Sequence, residues 1–116
     1  MSNSMERSLD RLSRVRGVSG SMFVAADDGL AVAQLLMEGL NGKVLAAFAA
    51  SLARKVSGAA AATGAGRVKF IQMQSAGGIL LVCVGGELIV TVVADPGVNV
   101  GLARLEMMRA VDAVQE

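Results

Sequence analysis

The chain has 116 residues, 53% of them hydrophobic and only 3% aromatic, and its 11 basic and 10 acidic residues leave a formal net charge of +1. A chain of this length builds one hydrophobic core, so a single domain over 1–116 is expected. The near-neutral balance gives no field to hold nucleic acid or an anionic membrane. With no His, Trp or Tyr and a single Cys, the usual routes to general-base or nucleophilic catalysis are missing, so neither an enzyme, a cofactor nor a metal is expected.

The first segment places Met5, Leu9, Leu12 and Val15 at helical spacing beside a stripe of Arg7, Arg11 and Arg14, and Gly17 ends the pattern. Charges run through it where a secretory signal would be apolar, so a cytoplasmic location is expected, with Cys83 reduced. Glu6 and Asp10 lie among the arginines and partly neutralise them, which reads as a solvated face. Short apolar runs then flank Asp28-Gly29, a dipeptide suited to a tight turn, and predict strands over 20–26 and 30–36. The adjacent acids Asp27 and Asp28 read as turn residues, not as metal ligands.

From Asn41, a plausible N-cap, a long Ala-rich helix is predicted over 41–63. Leu45, Phe48, Leu52, Val56 and Ala59 form one face and are the expected core contact. The opposite face carries Ala46, Ala50, Ala53, Ser57 and Ala60 where a solvated helix would carry charges, and Arg54 and Lys55 are the only charged residues after Lys43. Two readings stand: the small face lets another helix approach closely, or it is an ordinary Ala-rich surface. The glycines of Gly64-Ala65-Gly66 precede a strand and read as the end of the helix.

The period then drops to two, and three further strands are predicted over 67–74, 79–84 and 88–93, joined by turns at Gly77-Gly78 and Gly85-Gly86. A phosphate-binding loop leads into a helix N-terminus, commonly with a Lys after its glycines. Here each glycine pair leads into a strand, so no nucleotide site is expected. The last two strands are apolar on both alternating faces, with Thr91 the one polar interruption, and that requires helices on both sides of the sheet. The longest apolar stretch, 70–86, is broken by Gln72, Gln74 and Ser75, so membrane insertion is not expected. After Asp95-Pro96-Gly97, Asn99 can cap a last helix whose stripe is Val100, Ala103, Met107, Val111 and Val114. Leu102, Leu105 and Met108 lie off that stripe and either pack on the first helix, the favoured reading, or form a partner patch.

This αββαβββα order, with Gly17-Val18-x-Gly20, the Asp28-Gly29-Leu30 turn, the Ala-rich helix from Lys43, the two glycine-pair turns and the closing run over 99–111, resembles the Roadblock family of dynein light chains and bacterial GTPase regulators. The resemblance implies an α+β, profilin-like domain: a five-stranded antiparallel sheet with the first and third helices on one face and the second on the other, assembled as a homodimer. It implies a non-catalytic scaffold or regulator for a small Ras-like GTPase, as the MglB-type polarity regulators are. The long C-terminal extension of some GTPase-activating members is lacking, so activation itself is not expected. On the small-face reading, Ala46, Ala50, Ala53 and Ser57 would form the dimer interface together with Val68, Phe70 and Gln72 of an exposed edge strand, and Arg54, Lys55 and Ser57 would meet the GTPase. The competing function is a small-molecule-sensing module on the same sheet, against which stands the shortage of polar side chains in the strands.

Overall fold

The structure is a computed structural model and describes residues 3–114. The elements follow the expected order: α1 (Ser4–Ser13), β1 (Val18–Ala25), β2 (Ala31–Leu36), α2 (Gly42–Ala62), β3 (Phe70–Ser75), β4 (Gly78–Gly85), β5 (Leu88–Ala94) and α3 (Val100–Val114). The five strands form one antiparallel sheet in the order β2-β1-β5-β4-β3, which leaves β2 and β3 as its edges.

Three asparagines start the three helices by the same device. The side-chain oxygens of Asn3, Asn41 and Asn99 accept from the backbone N–H groups of Glu6, Val44 and Leu102, at 2.8, 3.2 and 3.0 Å, satisfying donors that the first turn leaves unpaired. α2 ends where Ala65 N–H donates to the Ala60 carbonyl and Gly64 N–H to the Ala61 carbonyl, a paired closure of its last turn. The glycine pairs do turn strand into strand. Gly78 lies so close to β5 that a Cβ there would stand 2.7 Å from the Ala94 carbonyl oxygen.

Both faces of the sheet are covered, as the doubly apolar strands require. On one face, Phe23, Ile79, Leu81, Cys83, Val90 and Val92 pack against Leu9 and Leu12 of α1 and Ala103, Met107 and Ala110 of α3. On the other, Met22, Val24, Leu80, Val82 and Ile89 pack against Ala46, Ala49, Ala50 and Ala53 of α2. Thr91, buried in the middle of β5, donates its hydroxyl to the Leu81 carbonyl at 2.9 Å.

That second contact reverses the expected orientation of α2. Ala46, Ala50 and Ala53 are buried in the chain's own core, while Phe48 is exposed and Leu45, Leu52 and Val56 are only partly covered. The reason is volume: the strands supply the bulky side chains of this layer, so the helix that covers them must present small ones to come within packing distance. The turn of the β1–β2 hairpin shows how close that distance is. Gly29, at φ 70°, would set a Cβ 3.4 Å from the Ala50 methyl, and the turn is held by Asp28 Oδ1 accepting from Leu30 N–H at 3.0 Å.

Two smaller corrections concern β3 and α3. β3 starts at Phe70 rather than 67, so Val68 precedes the strand, although Val84 N–H still donates to the Lys69 carbonyl. Leu102, Leu105 and Met108 are exposed and are not buried under α1. Ala103, Met107 and Ala110 occupy the contact, and Glu106 ties the layer together between Arg11 of α1, 4.0 Å away, and Arg109, 3.5 Å away. Arg14 pairs with Asp10 at 2.8 Å, so Arg11 and Arg14 of the arginine stripe both face carboxylates.

The seating of α2 makes a stability prediction. Ala50→Leu forces extra volume into a closed contact and is expected to cost about 1–3 kcal/mol, whereas Leu105→Ala at an exposed site should stay within about 0.5 kcal/mol of wild type. Chemical denaturation of the two variants checks this, and equal effects would contradict the orientation of α2.

Candidate interaction surface

With its small face seated on the sheet, α2 presents bulky apolar side chains outward. Val44 is 60% exposed and Phe48 45%. Leu45 and Leu52 are half-buried along one flank. No charged residue interrupts the helix between Lys43 and Arg54. α2 is also long and apolar enough to cross a membrane by length and composition, yet its alanine face is committed to the sheet.

The neighbouring edge continues this surface. Among the described residues β3 pairs only with β4, with Phe70 opposite Cys83 and Gln72 opposite Leu81, so its outer row of backbone groups is open. Ile71 and Met73 turn toward the α2 side and are partly covered. Between helix and strand lies a groove of about 280 Å³ lined by Leu45, Phe48, Met73, Ile79, Leu80 and Val93, among others. A second groove of about 570 Å³ opens beside the C-terminal half of α2, where Ser57, Ala61, Arg67, Val68 and Val84 meet.

The expected site residues therefore separate into three groups. Ala46, Ala50 and Ala53 are buried in the chain's own core and offer no face to a second helix. Ser57 and Val68 line the larger groove, while Phe70 and Gln72 lie on the open edge strand. Arg54 is occupied within the chain, its guanidinium donating to the Ala26 carbonyl at 3.2 Å and so pinning α2 to the end of β1, and Lys55 is exposed beside it. Val44, Ile71 and Met73 belong to the surface and were missed by the reading of the sequence. The available signal was indirect: strands bulky on both faces leave room only for the small side of the helix above them.

On the opposite face of β3 the Phe70 ring packs toward α3, with the Arg104 guanidinium 4.9 Å above its centroid. Cys83 is buried next to it, and burial pushes its thiol above the usual range; Arg104 acts against that shift and Asp112 adds to it. The net direction disfavours the thiolate, the form in which a cysteine acts as a nucleophile.

The comparisons with known proteins agree with this architecture. Residues 5–94 match the Roadblock/LC7 domain family, and the chain belongs to it. It is 32% identical over 111 residues to an uncharacterised protein of Methanocaldococcus jannaschii, covering 96% of each chain. Among solved structures it superposes on MglB of Myxococcus xanthus with a TM-score of 0.85 at 19% identity, covering 97% of this chain and 92% of that one. The Roadblock/LC7 domain from Streptomyces avermitilis gives the same TM-score at 20% identity, covering 94% and 92%.

The buried thiol carries a pH prediction. As pH rises, an unfolded Cys83 ionises before the folded one, so the stability this group supplies is complete below the ordinary thiol pKa and is lost as pH climbs through the raised value. The unfolding free energy of wild type should therefore fall more steeply on the alkaline side than that of Cys83→Val. Identical alkaline slopes would show that the thiol titrates alike in both states.

Proposed function

We propose that this chain is a non-catalytic, cytoplasmic platform that forms a homodimer and binds a small Ras-like GTPase across it. The observation that carries the reading is the outer face of α2, apolar and uncharged from Val44 to Ala53, lying beside the open edge of β3. A helix clothed in apolar groups on both sides is stable in water only when something covers the second side. The twofold pairing of two such surfaces brings α2 against its copy and lets β3 edges meet, covering apolar area and edge hydrogen-bonding groups in one contact.

The dimer interface is then Val44, Phe48 and Leu52 of α2 with Ile71 and Met73 on the same side of β3, in place of the alanines, and Phe70 and Gln72 enter it through the backbone of the open edge. The GTPase follows from the family resemblance and from the arrangement of polar groups at the rim: Lys55 is free to set register on a partner, Ser57 borders the groove, and Arg54 acts by holding the helix in place.

At low micromolar concentration, sedimentation should find two chains per particle for wild type and one for Phe48→Glu, with the fold preserved because Phe48 lies outside the core. Lys55→Glu should keep the dimer but weaken capture of a Ras-like GTPase several-fold in at least one nucleotide state. A monomeric wild type would remove the dimer, and undiminished capture by Lys55→Glu in both nucleotide states would remove the assigned site.

A further inference from the structure

The two edges of the sheet differ in chemistry. β3 is approached through Arg67 and Lys69 and exposes Gln72 and Gln74. β2, at the other edge, has neither a charged residue nor a proline anywhere from Leu30 to Met37. Leu30 and Met37 are each 64% exposed, and Val32 and Leu35 are exposed between them. Edge strands are ordinarily blunted by charge, by proline or by irregularity. Here the one such device is a break in register between Phe23 and Val24, opposite the start of β2.

Beyond that break the edge is regular. Met37 N–H donates to the Ser19 carbonyl at 2.9 Å, in register with the Ser21–Leu35 and Phe23–Ala33 pairs. Antiparallel hydrogen bonding alternates along a strand, so the N–H and C=O groups of Gln34 and Leu36 point away from β1.

We propose that β2 pairs edge to edge, antiparallel, with β2 of a second copy of this chain, through a contact separate from the α2 and β3 surface. Symmetry identifies the occupant. An antiparallel contact about a twofold axis sets a strand against itself, so any charge near the axis would face its own kind, and β2 carries none. Near its centre Gln34 is uncharged, and its side-chain amide lies against Gly42 at the start of α2. The strand begins with Ala31 and Ala33 and ends with Leu35 and Leu36, with Met37 following it, so antiparallel pairing lays the smaller half against the bulkier one. Two different twofold contacts on one chain build dimers into particles of four chains or more.

The test is a concentration series on the full chain, followed by sedimentation and by amide hydrogen exchange. With rising concentration the particle should at least double in mass, and the amides of Gln34 and Leu36 should pass from rapid exchange to protection. Leu35→Lys and Met37→Lys, both at exposed sites, should hold the protein at the smaller particle with an unchanged circular-dichroism spectrum. Phe48→Glu should retain the concentration-dependent protection of Gln34 and Leu36, which separates this contact from the one on α2. The proposal is overturned if the mass stays constant and both amides exchange freely at every concentration. It is equally overturned if Phe48→Glu abolishes their protection, or if protection arises only when another protein supplies the strand.

Discussion

The contact on which the rest of the structure depends is the close seating of α2 on the sheet. Ala46, Ala49, Ala50 and Ala53 descend onto Met22, Val24, Leu80, Val82 and Ile89, and no larger helix face would reach that layer without lifting away from it. Several details follow from this one distance. The β1–β2 turn has to carry Gly29 beneath the helix, and Arg54 comes within reach of the Ala26 carbonyl. The bulky residues of α2 are turned outward or to its flank.

The two layers beside the sheet have consequently different characters. On the α1 and α3 side two helices share the work, and their own contact is closed by Ala103, Met107 and Ala110 with Glu106 held between Arg11 and Arg109. In that layer Leu9, Leu12 and Met107 point inward, while Leu102, Leu105 and Met108 stay exposed on α3, and Arg11, Arg14 and Arg109 meet carboxylates. The α2 layer has a single helix for five strands, and Ile71 and Met73 of β3 are only partly covered. The unfinished part of the molecule is therefore where helix and edge strand run side by side.

Much of this was legible in the sequence because each element carried its own physical signal. The Asn residues at 3, 41 and 99 differ in visibility, but Asn41 and Asn99 stood before periodic apolar runs and do cap them. Strands β4 and β5, apolar on both faces, announced helices on both sides, and the glycine pairs led into strands and so read as turns. The facing of α2 was not legible, for a definite reason. Helical periodicity finds a core face by contrast with a polar one, and α2 offers two apolar stripes that differ mainly in size. Choosing between them requires the volume already occupied by the strands, a quantity set by tertiary packing. The same limit explains Leu102, Leu105 and Met108, whose apolar character says nothing of whether α1 lies over them.

For the proposed dimer, the inversion of α2 changes what would hold the two chains together, not only which residues are named. Had the alanine face been outward, two helices would have met through small groups, a contact relying on backbone proximity and burying little apolar area per residue. With Val44, Phe48 and Leu52 outward, each copy offers larger groups, and the gain per residue buried is correspondingly greater, about 1.5–3 kcal/mol for each large side chain fully withdrawn from water. The alanines serve the fold and the bulky residues serve the surface, so the two roles sit on opposite sides of one helix. A substitution on the inner side then acts on folding and, on the proposed dimer, one on the outer side acts on association, while the run from Val44 to Ala53 places no charge on either side.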